Sequence, residues 1–304
     1  MKRDQASHTA RFVSNGIYWV SRSRKLHVEV PGDLRDYTIE MTRCSLNVDS
    51  PVWRRLACRW ILFKAGLMQR CAIPGIYLHQ LLRKRFIEAQ ARKAIADKTS
   101  QLVVIGAGLD TLGLRLSVEH PDLKVIEIDH PATQALKRSI VDAMSLPMGD
   151  IEFLSADLGH ETLVSALKRS ACHDPEAATL FIAEGITMYL SEASVRELLN
   201  SIANQPPGSS LLFTYMEESR PGCFDFRNAR RVTSWWLALR HERFTWGIRP
   251  DRLQAFLAEC GLSLESHRTP EELRLELLIE SNRNATLALG ENTVLAITKG
   301  KSHA

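Results

Sequence analysis

From residue 34 to about 97, apolar side chains recur every three or four positions, which predicts helix. Trp53, Leu56, Trp60, Ile61 and Leu67 are interleaved with Arg54, Arg55, Arg59 and Lys64. From Ile76 to Ile95, Leu78, Leu81, Leu82, Phe86 and Ile87 lie between Arg83, Lys84 and Arg85. Residues 1–33 are of mixed polarity and end in a turn signal, Pro31-Gly32-Asp33. Beyond residue 100 the rhythm becomes short apolar runs alternating with helical stretches. Strands are expected at 102–105, 124–128, 151–154, 179–183, 210–215, 262–267 and 293–298. Helices are expected at 131–144, 161–170, 192–203 and 250–260. That alternation predicts an α/β fold with a doubly wound, seven-stranded, mostly parallel sheet. The last two strands, LSLESH and TVLAIT, suit an antiparallel pair closing one edge. The division expected is an N-terminal helical cap region over 1–97 and a ligand-binding domain over 98–304.

One stretch departs from this rhythm. Residues 216–249 carry Phe224, Phe226, Trp235, Trp236, Phe244 and Trp246 among Arg220, Arg227, Arg230, Arg231, Arg240, Arg243 and Arg249. An insertion after a strand's C-terminal end lies on the edge of the sheet where ligands bind. It reads either as an acceptor lid or as a surface helix whose arginine stems cover aromatics.

Composition narrows the classes. With 45% hydrophobic residues the chain can bury a large core, and a net charge of +4 gives no strong field for nucleic acid. The six cysteines form no Cys-x-x-Cys pair and none stands at zinc-ligand spacing to a histidine, so no metal is expected. Arg11 and Ser14-Asn15-Gly16 interrupt the first apolar stretch, which argues against a signal peptide. Residues 56–82 are interrupted by Arg59, Lys64, Arg70 and Pro74 and cannot span a bilayer cheaply. A cytoplasmic protein without a membrane partner is the expectation.

The candidate chemistry begins at LVVIGAGLDTLGLRL, residues 102–116, where an apolar strand runs into a Gly-x-Gly turn and then a helix. About twenty residues on, KVIEIDHP ends its apolar run at Asp129. Such a turn lets backbone approach a nucleotide-sized ligand, and the second acid accepts hydrogen bonds from ribose hydroxyls. The pattern alone fits either a dinucleotide or S-adenosylmethionine. A dinucleotide site normally carries a third glycine where this chain has Thr111, and no second phosphate-binding turn is present. Two more acids follow strands: Asp157 in LSADLGH and Glu184 in FIAEGITMYL. Each alone reads equally as a cap or turn residue. Four ligand-type positions at four consecutive strand ends favour S-adenosylmethionine.

Three segments together resemble the leucine carboxyl methyltransferases and their bacterial relatives that O-methylate small metabolites. They are VVIGAGLDTLGLRL, VIEIDHP and AEGITMYLSEASVRELL, with a faint continuation through WGIRPDRLQAFLAECGL. The resemblance implies a Rossmann-like class I fold using S-adenosyl-L-methionine. It implies that Gly106 contacts the cofactor through its backbone, with Gly108 and Asp110 shaping the loop. Asp129 would hold the ribose, Asp157 and Leu158 would flank the adenine, and Glu184 would face the amino-acid end. An arginine on the helix before the first strand would pair with the methionine carboxylate; Arg83 fits, with Arg85 the rival and Arg43 a looser upstream candidate. Leu112 and Gly113 depart from the family's bulkier pattern after Asp-Thr, and residues 1–40 match nothing specific.

For the reaction, a carboxylate acceptor is already ionised at neutral pH, whereas a phenol with a pKa near 10 calls for a base or a cation. His130 reads as a cap or loop residue, and His241 is a further candidate within the insertion. Tyr215 and Glu217, after the fifth strand, are candidates to orient the acceptor. The expected activity is O-methylation of a small-molecule carboxylate or hydroxyl. Protein C-terminal carboxyl methylation and a non-catalytic cofactor-binding subunit are the alternatives, and a nicotinamide oxidoreductase ranks below them.

Overall fold

The computed structural model describes residues 8–22, 28–48, 50–230 and 244–299. Its centre is one seven-stranded sheet: β1 Gln101–Ile105, β2 Lys124–Asp129, β3 Glu152–Ser155, β4 Thr179–Ala183, β5 Ser210–Met216, β6 Leu262–Arg268 and β7 Glu291–Thr298. The spatial order is β3-β2-β1-β4-β5-β7-β6. The first five strands are parallel, and β7 runs antiparallel between β5 and β6. All seven expected strands are present, with ends displaced by no more than a couple of residues. Central strands are apolar along their whole length because both faces are covered: β1 and β4 are buried at every position.

The helices are α1 His8–Arg22, α2 Gly32–Ser45, α3 Pro51–Cys71, α4 Ile76–Ala96, α5 Leu112–Glu119, α6 Pro131–Asp142, α7 Leu163–Leu167, α8 Glu192–Ala203, α9 Pro250–Glu259 and α10 Pro270–Leu277. Local chemistry sets many of their starts. Ser191 and Thr162 accept a backbone N–H as N-caps, and Thr269 with Glu272 forms a capping box. Helix α4 belongs to the sheet's own helix layer: Leu78, Leu82, Phe86 and Ile87 pack on Leu102 and Val104 of β1 and Leu180 and Ile182 of β4. The division expected at residue 97 therefore falls just behind a helix that is integral to the sheet. Ile76, Tyr77 and Leu81 turn the other way and meet Ile17 and Val20 of α1.

Helix α1 lies in the stretch where only mixed polarity was legible. The Ser14-Asn15-Gly16 break is a close helix crossing. A Cβ on Gly16 would stand 2.4 Å from Tyr77 Cδ1 and 2.5 Å from Gln80 Oε1, so no larger residue fits between α1 and α4. Helix α2 is tied down by Arg115 of α5, which donates to Asp33 at 2.5 Å and to both Glu88 oxygens at 2.8 and 2.7 Å. The Leu112-Gly113 departure has a similar packing cause. A Cβ on Gly113 would lie 2.6 Å from Glu127 Oε1, whose carboxylate is fully buried and paired with Lys137 at 2.5 Å. Gly113→Ala is expected to lower the unfolding free energy by about 1–3 kcal/mol through overpacking. Urea denaturation checks this, and an unchanged midpoint would contradict it.

Candidate functional site

At the C-terminal edge of the parallel strands lies a cavity of about 540 Å³, within the usual range of small-ligand sites. Its floor is built from strand ends: Gly106 after β1, Asp129 ending β2, Asp157 and Leu158 after β3, and Glu184 after β4. Its roof comes from α1, α2, α3 and α4, through Ala10, Phe12, Leu34, Met68, Gln80 and Arg83 among others. The insertion contributes Phe226, Phe244 and Thr245 to the walls. Residues 231–243, which hold Trp235, Trp236 and His241, lie outside the described residues.

The glycine turn has the geometry its sequence implies. Gly106 sits at φ +69°, in the left-handed region, and donates its N–H to Ile128 O at 2.8 Å. A Cβ there would stand 2.7 Å from Ile186 Cδ1. Gly108 donates its N–H to Asp129 Oδ2 at 2.5 Å, and His130 donates its own to Oδ1 at 2.6 Å. Two backbone donors thus fix the Asp129 carboxylate against the loop, and acceptor capacity remains on both oxygens. Burial pushes this carboxyl up, opposed by those two hydrogen bonds. Asp110 accepts the Thr111 and Leu112 N–H groups at 2.6 and 3.3 Å, anchoring the start of α5. Asp157 Oδ1 accepts from Gly159 N at 3.0 Å, and its other oxygen lies 3.3 Å from His160 Nδ1. His130 is the N-cap of α6, its Nδ1 facing Ala132 N at 3.4 Å, which fits its cap reading.

Behind this floor runs a buried charge network. Arg83 donates Nε–H to Glu184 Oε1 at 2.9 Å, and its terminal nitrogens reach Glu184 at 2.7 Å and Glu291. His79 Nε2 lies 2.8 Å from the other Glu291 oxygen. Lys84 bridges Asp110 at 3.0 Å and Glu184 at 3.2 Å. Burial would raise the Glu291 carboxyl, but the Arg83 guanidinium and the His79 hydrogen bond outweigh it and hold it at about 2. Burial opposes ionisation of Asp110 as well, and Lys84 and Lys137 overcome it, again to about 2. Glu291 was not among the sequence candidates. It enters because β7 is antiparallel: its first residue pairs with Met216 at the end of β5, and so returns to the ligand edge of the sheet.

The same geometry separates the remaining candidates. Arg83 lines the cavity, whereas Arg85 donates to Leu277 O at 3.3 Å on α10. Arg43 faces Glu40 at 3.6 Å and is half exposed. Tyr215 and Glu217 are not among the cavity's lining residues. Alternation along β5 puts Thr214, which receives the Gly185 N–H at 2.8 Å, and Tyr215 on opposite faces of the sheet. The Tyr215 hydroxyl lies 2.9 Å from His267 Nε2 and accepts from Asn292 at 3.1 Å. Glu217 extends toward Arg227, 4.0 Å away. This placement puts neither Tyr215 nor Glu217 on the cavity wall, where an acceptor-orienting residue is expected to stand. Tyr215→Phe is expected to leave turnover within about threefold of wild type, and to cost about 1 kcal/mol of stability for the lost hydrogen bonds. A hundredfold loss of turnover in a stably folded variant would contradict that placement.

The lining divides chemically. Around the strand ends stand five carboxylates, Asp110, Asp129, Asp157, Glu184 and Glu291, against the cations Arg83 and Lys84. Such a field disfavours a pyrophosphate and favours a ligand that carries positive charge. The far end is apolar, with Phe12, Ile17, Ile73, Met188, Phe226 and Phe244 in contact within one core cluster. Tyr189 packs on Phe244 with ring centroids 5.5 Å apart.

Comparison with known proteins gives concordant results. The leucine carboxyl methyltransferase family matches residues 55–203, from within α3 to the end of α8. A Bacillus subtilis protein, YktD, named as a candidate S-adenosyl-L-methionine-dependent methyltransferase, is 26% identical over 69% of each chain. Candidate methyltransferases of the same description from Mycolicibacterium smegmatis and Mycolicibacterium gilvum are 33% and 37% identical, over 45% and 38% of each chain. The match thus spans less than half the length of these last two relatives. Among solved structures, a DUF574 family protein from Streptomyces avermitilis superposes with a TM-score of 0.58 at 15% identity, over 97% of this chain and 98% of that one. A candidate methyltransferase from Thermobifida fusca gives 0.52 at 15% identity, over 86% and 94%. Both share the fold.

Proposed function

We propose that this chain, which matches the leucine carboxyl methyltransferase family over residues 55–203, is an S-adenosylmethionine-dependent methyltransferase that methylates an oxygen of a small, largely apolar molecule, with a carboxylate preferred over a hydroxyl. The observation that carries this reading is the two-ended cavity, anionic at the glycine loop and apolar beyond it. The residues present fit the cofactor. Asp129 has acceptor capacity left for ribose hydroxyls, Gly106 lines the cavity with the left-handed backbone that its turn needs, and the carboxylates suit a sulfonium and an ammonium. Bound there, the cofactor supplies an electrophilic methyl group on positively charged sulfur.

In this reading Asp129 holds the ribose, with Asp157 and Leu158 beside the adenine. Glu184 faces the ammonium, and Arg83 the methionine carboxylate while keeping its own buried partners. Gly108 and Asp110 hold the loop in register. The protein's contribution to rate is alignment and exclusion of water. The preference for a carboxylate is supported by the acceptor end, where the side chains named above, Phe12, Ile17, Ile73, Met188, Phe226 and Phe244, carry no group that takes a proton. An acceptor that is already ionised needs none. The roof formed by α1 favours a small acceptor over the terminus of a folded protein.

The test is incubation with methyl-labelled S-adenosylmethionine and a panel of apolar carboxylic acids and phenols, followed by alkali. Label released as methanol indicates a methyl ester and is the expected result. Alkali-stable label confined to phenols would contradict the carboxylate preference, and transfer to no oxygen acceptor would contradict O-methylation.

A further inference from the structure

Helix α3 carries a feature that the cavity does not use. Val52, Trp53, Leu56, Trp60, Phe63 and Leu67, spaced mostly three and four residues apart, form one continuous stripe along its outer face. All are exposed, Trp53 to 66%, Phe63 to 60% and Trp60 to 56%. The opposite face is the packed one. Ala65 is buried, Gly66 admits Trp19 of α1 with the indole nitrogen 3.4 Å from a built Cβ, and Met68 reaches the cavity wall. The periodic pattern that predicts this helix therefore turns most of its large apolar residues outward.

Charge identifies the partner. The helix holds five basic residues, Arg54, Arg55, Arg59, Lys64 and Arg70, and no acid. By helical spacing, Arg55 and Arg59 border one side of the stripe and Lys64 the other, its Nζ 5.0 Å from the Trp60 ring centroid. Among the described residues, no carboxylate forms an ion pair with Arg55, Arg59, Lys64 or Arg70. A second copy of the helix would bring arginine against arginine with no acid of its own to pair with them. An anionic lipid surface is complementary in both respects: headgroups meet the basic borders, while Trp, Phe and Leu enter the acyl boundary. Among the described residues no helix is long and apolar enough to cross a membrane; Arg59 and Lys64 at mid-helix suit one lying in the interface plane.

We propose that α3 is an interfacial helix that seats this protein on anionic membranes. The expectation of no membrane partner asked only whether a segment could span. Docking does not depend on the methyltransferase reading. A consequence for the acceptor, that the apolar cavity draws a lipid-dissolved molecule past Met68, does rest on that reading.

The test uses the full chain and flotation with vesicles of phosphatidylcholine alone or mixed with phosphatidylglycerol, with no cofactor or acceptor present. Each basic residue near an anionic surface strengthens binding roughly fivefold. Anionic vesicles should therefore bind at least about tenfold more tightly than neutral ones, with the tryptophan emission shifting to the blue. High salt should weaken that binding. Arg55→Glu with Arg59→Glu should weaken it by about 25-fold or more, and Trp60→Ser with Phe63→Ser should abolish the blue shift. Equal circular dichroism melts would show that these surface variants stay folded. Absence of binding by folded wild type overturns the proposal. So does a wild-type dimer in light scattering that Trp60→Ser with Phe63→Ser dissociates, since the face would then belong to a second copy.

Discussion

Replacing Asp129 by alanine is expected to weaken S-adenosylhomocysteine binding by at least about a hundredfold, because two charge-assisted hydrogen bonds to ribose hydroxyls are lost at about 1.5–3 kcal/mol each. A second effect adds to the first. The same carboxylate accepts the Gly108 and His130 N–H groups at 2.5 and 2.6 Å, so its removal leaves both backbone donors unpaired and loosens the loop. Asp129→Asn keeps the shape but turns one oxygen into a donor facing those N–H groups, and is expected to lose nearly as much. Calorimetric titration measures both variants, with circular dichroism confirming the fold. Binding within threefold of wild type for the alanine variant would remove Asp129 from the ribose.

Arg83→Met should be the most destabilising single change near the site. It leaves Glu184 and Glu291 buried, with Glu291 retaining His79 and Thr214 and Glu184 retaining Lys84. Breaking a buried pair from one side costs about 3–5 kcal/mol, which urea denaturation at neutral pH would register. The pH dependence has a definite sign. In the wild type the Glu291 carboxyl is held at about 2, below its ordinary 4.5. Its contribution to stability is therefore present above pH 4.5 and is lost as pH falls from there toward 2. Without the guanidinium, burial is opposed only by the His79 and Thr214 hydrogen bonds, so that carboxyl rises from its wild-type value and its ionised form is less well held. The stability deficit of Arg83→Met should accordingly be largest near neutrality and shrink below pH 4.5. A deficit independent of pH would mean that packing, rather than charge pairing, is what Arg83 supplies.

Much of the sheet was legible because burial on both faces forces continuous apolar runs, as in residues 102–105 and 179–183. The glycine turn, Asp129, Asp157 and Glu184 were legible because strand ends in such a sheet share one edge. What stayed hidden depends on partners distant in sequence. Glu291 lies 208 residues from Arg83, and only the antiparallel insertion of β7 brings it to the ligand edge. Tyr215 was placed by strand end without regard to face, and the face it takes on β5 carries its hydroxyl to His267. Helix α1 was obscured by Gly16, whose small size serves a helix crossing rather than a break. Arg83 was preferred to Arg85 by position alone, and the orientation of α4 separates them, since two residues along a helix face nearly opposite ways. The stripe on α3 shows the remaining gap: periodicity reveals that a helix has an apolar face, and not whether the protein itself covers it.

The central claim is that the anionic end of the cavity holds S-adenosylmethionine with its reactive methyl directed to the apolar end. A crystal structure of the S-adenosylhomocysteine complex tests it most directly. The expected result places the ribose on Asp129, the adenine beside Asp157 and Leu158, the amino-acid portion between Arg83 and Glu184, and the sulfur facing Phe226 and Phe244. A ligand bound away from Asp129, or with its sulfur turned from the apolar end, would contradict the account.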